Sequence, residues 1–183
     1  MSEAIANTPA AWSSRAAKPP LEAVGWTASG QTDRFDAVMK ALDPKSGDTL
    51  LDFGCGLGDL ADWVEDDVAY HGCDWAHAMV NRAQAAHPDR KFHHVKPGRM
   101  FDLVAVIGTF NLADNWSKAL TFQTLRGLWD GCERVMAVSV YHGTDPRCIR
   151  YEPADLATFA AGEARSFTVE RYRSNDLLLV MRR

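Results

Sequence analysis

Cysteine is scarce and unpaired in this chain. Its four residues (Cys55, Cys73, Cys132, Cys148) form no C-x-x-C pair and no framework, which argues against a disulfide-stapled secreted scaffold and a cysteine-held zinc site. No apolar run approaches the length of a membrane span. Positive charge is not in excess, with a formal net charge of −4, which argues against broad electrostatic binding to nucleic acid or anionic membranes. Glycine-Lys-Ser/Thr is missing, which excludes a P-loop nucleotide site. Met1 to Trp12 lacks the basic-then-apolar pattern of a secretory signal, so a cytoplasmic location with reduced thiols is expected. No internal repeat is visible. The 183 residues, 46% hydrophobic and 24% charged, are enough for one globular domain with a core. The charge is uneven: residues 147–183 carry seven Arg against five acids, so that tail is +2 and the rest is −6.

Eleven residues organise what is there: Leu50-Leu51-Asp52-Phe53-Gly54-Cys55-Gly56-Leu57-Gly58-Asp59-Leu60. The first four fit a short buried parallel strand. Three alternate glycines follow, and then a helical pattern expected over 57–65. A strand that breaks into a glycine loop and opens a helix lets a ligand approach the main chain and the helix N-terminus. The spacing is G-x-G-x-G, not the dinucleotide G-x-G-x-x-G, and Asp59 stands where the third dinucleotide glycine would be. An acid there also repels a pyrophosphate.

The stretch resembles motif I of the class I S-adenosylmethionine (SAM)-dependent methyltransferases, with Asp52 before it and Cys55 inside it. The chain is similar to small single-domain members of that class, including ones found in phage genomes, which carry a Gly-Trp, a Gln and an Arg-Phe before motif I. Here these are Gly25-Trp26, Gln31 and Arg34-Phe35. The resemblance implies SAM as cofactor and a three-layer αβα Rossmann-like methyltransferase fold, α/β in class. Its sheet would be mostly parallel, in strand order 3-2-1-4-5-7-6, with an antiparallel C-terminal hairpin. It implies that Trp26 and Arg34 serve the methionine end of SAM, Arg34 as partner of the methionine carboxylate. Asp52 orients the methionine amine, and Gly54, Cys55, Gly56 and Gly58 admit methionine and ribose. Asp74, 22 residues after Asp52 at the end of Val68–Asp74, takes the ribose hydroxyls or caps the next helix, and Trp75 and Met79 flank the adenine. Gly108 and Thr109, after a strand at Phe101–Ile107, let the cofactor approach. Asn111, Tyr141 and His142 are the catalytic candidates, His142 as a base.

The organisation expected is a flexible or loosely docked arm over 1–20, an N-terminal lid helix within 21–47 and a methyltransferase domain over 48–183. Trp12 either pins the arm or caps a pocket. The lid helix is expected to start at a Thr32 or Asp33 cap and bury Phe35, Val38, Met39 and Leu42. Helices are also expected over 76–86, over 115–129 with Leu120, Leu125 and Leu128 inside, and after Pro153. His93 and His94 are adjacent and point to opposite faces of a third strand over 91–95, so they cannot share a metal; no metal site is expected.

One departure from the family is expected. Only Lys96–Met100 separates strand 3 from strand 4, so strand 3 is short and the crossover helix is missing. Lys96–Met100 would wall a shallow adenine pocket and contact the adenine amine through backbone groups. Neither the Asp/Asn-Pro-Pro-Tyr/Phe of exocyclic-amine DNA methyltransferases nor the Pro-Cys of the cytosine enzymes is present. A small-molecule acceptor is expected, with no membrane partner. The basic tail keeps nucleic acid open, and a protein side chain is a further alternative. Rival readings are a SAM-binding module without catalysis and a nicotinamide oxidoreductase, which the glycine spacing disfavours.

Overall fold

The structure is a computed structural model that describes residues 8–114 and 116–183. Seven strands form one sheet: β1 (Thr49–Phe53), β2 (Ala69–Cys73), β3 (Lys91–His93), β4 (Phe101–Ile107), β5 (Cys132–Tyr141), β6 (Ser166–Arg173) and β7 (Asp176–Arg182). Their order is β3-β2-β1-β4-β5-β7-β6. The first five run parallel, and β7 pairs antiparallel with β5 and β6. The order turns back between β1 and β4, so a crevice opens beyond the carboxyl ends of those two strands.

The apolar runs of β4 and β7 are continuous because both faces of the sheet are covered. Leu103, Ala105 and Ile107 pack on one side with Phe35, Val38 and Leu42 of α3 (Ala28–Leu42). Val104 and Val106 pack on the other with Leu125, Leu128 and Trp129 of α5 (Lys118–Asp130), and with Leu156 and Phe159 of α6 (Pro153–Ala161). Alternation of period two thus splits each strand between two cores.

Several local expectations change. Of the segment expected as an arm, residues 1–7 lie outside the described residues. Residues 9–24 form α1 (Pro9–Arg15) and α2 (Pro20–Val24). These dock through Trp12, Ala16 and Ala23 on Leu57, Ala76 and Met79, and Arg82 of α4 (His77–Ala86) donates to the carbonyls of Ala16 and Lys18. The cap of α3 is Thr27, which accepts from the Gly30 amide at 3.1 Å, not Thr32 or Asp33. Residues 25–30 read as a loop from their composition, yet α3 already starts at Ala28; glycine suits position 30 because Thr27 Oγ1 and two arginine side chains lie where a Cβ would stand.

The helix expected over 57–65 is a single 3-10 turn, Asp59–Trp63. Gly58 is left-handed before it (φ 80°) and Val64 is extended after it, leaving no length for an α-helix. In α5 the cap is Ser117, and Leu120 is exposed rather than inside. β3 is three residues long and no helix joins it to β4, as the five-residue connection requires.

Candidate active site

Motif I residues bend over the crevice from the end of β1. The amides of Gly54 and Cys55 both donate to the Cys73 carbonyl at 2.8 and 3.0 Å, so the loop is hung on the end of β2. Gly54 has φ 80°, and a Cβ there would lie 2.3 Å from Thr109 Oγ1. Only glycine fits. Thr109 in turn donates to the Phe53 carbonyl at 2.9 Å, so its hydroxyl proton holds the loop together. Gly108 (φ 71°) would place a Cβ 2.8 Å from the Trp26 ring; glycine there lets the indole lie on the end of β4.

Asp74 is the hinge of this region. Its Oδ2 accepts from the Gly56 amide at 3.0 Å and its Oδ1 from the Ala76 amide at 2.8 Å. It therefore ties the glycine loop to the start of α4, and each oxygen keeps a lone pair for another donor. Burial raises its pKa, and the two amides pull it back. Asp52, on β1, is buried and accepts from the Tyr70 hydroxyl at 2.7 Å. Burial is the main reason its pKa stands at about 7; the Tyr70 bond opposes this, and Asp74 and Asp59 add to it. Such a carboxyl prefers to ionise beside a cation.

Sequence reasoning did not give Tyr70 a role, nor Phe92, whose ring lies 2.6 Å from where a Gly72 Cβ would stand. Phe92 fills the space beneath the loop from the short β3. The available signal was a glycine inside a strand, which marks a close approach.

The glycine loop, Asp52 and Asp74 line one cleft of about 1270 Å³. Eleven of the twelve residues expected to serve the cofactor lie on it: Trp26, Arg34, Asp52, Gly54, Cys55, Gly56, Asp74, Trp75, Met79, Gly108 and Thr109. Gly58 does not, because it turns away against Phe92 and Ala83. Arg34 is not idle there. It donates to Asp176 Oδ2 at 2.8 Å and to the Gly30 carbonyl at 3.0 Å, and its guanidinium lies 5.0 Å from the Trp26 ring. Gln31 donates to Asp59 Oδ2 at 2.8 Å, fastening α3 to the glycine loop. Beyond the end of β3 the cleft is lined by His94, Val95 and Lys96; of the wall expected over Lys96–Met100, only Lys96 reaches it. His93 packs against His71 and His94 against His77, so the two do face apart. No group of three metal-ligating side chains occurs among the described residues.

Of the catalytic candidates, Asn111 and Tyr141 line the cleft and His142 does not. Asn111 Oδ1 accepts from the Tyr141 amide at 3.0 Å. Tyr141 OH accepts from the Asp145 amide at 2.9 Å. His142 is 6% exposed, its Nδ1 2.6 Å from the Tyr151 carbonyl and 3.6 Å from Glu152. It braces the loop after β5 from beneath and is not aimed at a ligand. Successive residues at a strand end point to opposite sides, which separates Tyr141 from His142. No helix among the described residues is long and apolar enough to cross a membrane.

The seven-stranded order, the glycine loop after β1 and the carboxylate after β2 define the class: this chain has the fold of the class I SAM-dependent methyltransferases. Among solved structures it is similar to the N-methyltransferase NodS from Bradyrhizobium japonicum in complex with S-adenosylhomocysteine (TM-score 0.73, 10% identity, covering 96% of this chain and 98% of that one). It is likewise similar to DhpI in complex with S-adenosylhomocysteine (TM-score 0.70, 13% identity, 98% and 97% covered). A third is magnesium protoporphyrin IX methyltransferase from Synechocystis with bound SAM (TM-score 0.67, 18% identity, 85% and 80% covered). No protein-family model and no curated protein matches the chain.

Proposed function

We propose that the protein is a methyltransferase that takes its methyl group from SAM and passes it to a small-molecule acceptor. The observation that carries this is the Asp74 carboxylate, fixed by the Gly56 and Ala76 amides beside a glycine loop that admits no side chain at Gly54. That arrangement fits a nucleoside: Asp74 would receive the ribose hydroxyls, Gly54 and Gly56 would leave room for the chain beyond the sugar, and Trp75 and Met79 would flank the base. Asp52 would face the methionine amine, directly or through water. Arg34, already paired to Asp176, would add positive potential at the carboxylate end. SAM, when bound, supplies an electrophilic methyl group on a sulfonium.

The remaining work of this chain is placement. Asn111 and Tyr141, joined to each other through the Tyr141 amide, would form the acceptor side at the ends of β4 and β5. Holding the reacting atoms in line and about 3 Å apart removes much of the barrier by itself. With His142 turned away from the cleft, proton removal by that residue plays no part here.

A small acceptor is supported by volume: the cleft exceeds the usual ligand pocket of roughly 300–1,000 Å³, so it has room for donor and acceptor together. The acceptor named for one structural neighbour, magnesium protoporphyrin IX, is of this kind. Four of the seven arginines of the tail favour the same view over a nucleic-acid face. Arg147, Arg150, Arg173 and Arg183 are held by Asp145, by Glu152, by Asp33 and Asp176, and by the Trp129 and Cys132 carbonyls. Titration calorimetry with SAM, S-adenosylhomocysteine and NAD(P) is the test. Binding of the first two is expected; binding of NAD(P) alone overturns the proposal.

A further inference from the structure

Of the loop between β3 and β4, only His94, Val95 and Lys96 line the base end of the cleft, and no helix follows them. Val95 there is 76% exposed, with little packed behind it to hold it against a ring. A different element closes that side. Trp116, from the loop after β4, lines the cleft together with Trp75. Their rings lie 6.2 Å apart between centroids, with planes 32° apart. Trp116 is held edge-on against Phe110, centroids 4.6 Å apart at 79°, and Phe110 is completely buried. The indole is thus mounted on the core and not on the loop alone. Trp75 is 40% exposed and follows directly on the Asp74 hinge.

We propose that Trp116 is a further donor-binding residue: with Trp75 it makes the aromatic wall against which the purine ring lies, in place of a crossover helix after β3. This rests on the cleft holding SAM, as proposed above. At 6.2 Å the two rings leave no gap for a third between them, so they present one continuous aromatic face to a base beside them. Stacking of this kind reads any flat π-face and needs few hydrogen bonds.

The test measures S-adenosylhomocysteine affinity by calorimetry for the unaltered protein and for Trp116→Leu, Trp116→Phe and Asp74→Ala. Leucine keeps an apolar side chain against Phe110 but cannot stack; phenylalanine can. Trp116→Leu is expected to weaken binding roughly ten-fold, the scale of one lost base–aromatic stack, and Trp116→Phe to recover most of it. Competition with S-ribosylhomocysteine, which lacks the base, is expected to be the same for Trp116→Leu and the unaltered protein. A purely structural role for Trp116 would weaken both ligands together, and that result overturns the proposal. So does unchanged affinity in Trp116→Leu while Asp74→Ala loses binding, an outcome that leaves the donor assignment standing. No binding by the unaltered protein overturns both.

Discussion

The two halves of the cleft are built differently. On the donor half, the central carboxylate and the loop beside it are tied to the ends of regular elements: Asp74 by the Gly56 and Ala76 amides, and the glycine loop by the Cys73 carbonyl at the end of β2. On the acceptor half, Asn111 and Tyr141 are each fixed by a single amide, of Tyr141 and of Asp145, and the second belongs to a nine-residue excursion of chain between Tyr141 and Tyr151. A site built on strand and helix ends tolerates few substitutions, whereas one that leans on an irregular loop can be retuned.

The largest effect is expected at Gly54. Gly54→Val would put a β-branched side chain at φ 80°, with its Cβ 2.3 Å from Thr109. Strain of this kind costs about 1–3 kcal/mol before any clash, so the melting temperature should fall and S-adenosylhomocysteine binding should vanish in calorimetry. Asp74→Ala comes next. Removing the anchor of two amides should weaken S-adenosylhomocysteine binding by about 1–3 kcal/mol. An unchanged affinity would remove Asp74 from the site.

Smaller and pH-dependent is the effect of Asp52. Its folded pKa of about 7 lies above the value near 4 of an unfolded chain. The native state therefore holds a proton that the unfolded state has lost. This group's contribution to stability declines as pH rises from about 4 to about 7. SAM carries a net positive charge and favours the ionised carboxylate, so its affinity should rise with pH through 7. Asp52→Asn should flatten both profiles, as followed by thermal melts and calorimetry across pH 5–9.

The smallest effect on donor binding is expected on the other half. His142→Asn should lower thermal stability by about 1–3 kcal/mol, the scale of a disturbed buried hydrogen bond, while SAM affinity stays within two-fold. A loss of donor affinity would show that the halves are not separate.

The same contrast explains what could be read from the chain alone. Motif I and Asp74 lie within 25 residues and rest on local rules: a buried strand, a positive φ, an acid at a strand end. The short β3 and the missing crossover helix followed from the reach of a five-residue link. Trp116 was invisible because it meets Trp75 across 41 positions of sequence, through a loop without periodicity. His142 was misplaced for a simpler reason. The alternation that sends His93 and His94 to opposite faces also sends Tyr141 and His142 to opposite sides, and one residue of register decides which of them meets a ligand. The turn at 57–65 looked helical because Leu60, Ala61 and Val64 share a face, but Gly58 is left-handed and Val64 extended, which leaves room only for the 3-10 turn between them.

The most direct test of the central claim is a crystal structure of the protein soaked with S-adenosylhomocysteine. The ribose hydroxyls should lie on the Asp74 carboxylate, with the sulfur end over Gly54 and Gly56. An empty cleft under saturating ligand, or the nucleoside bound away from Asp74, would contradict the account.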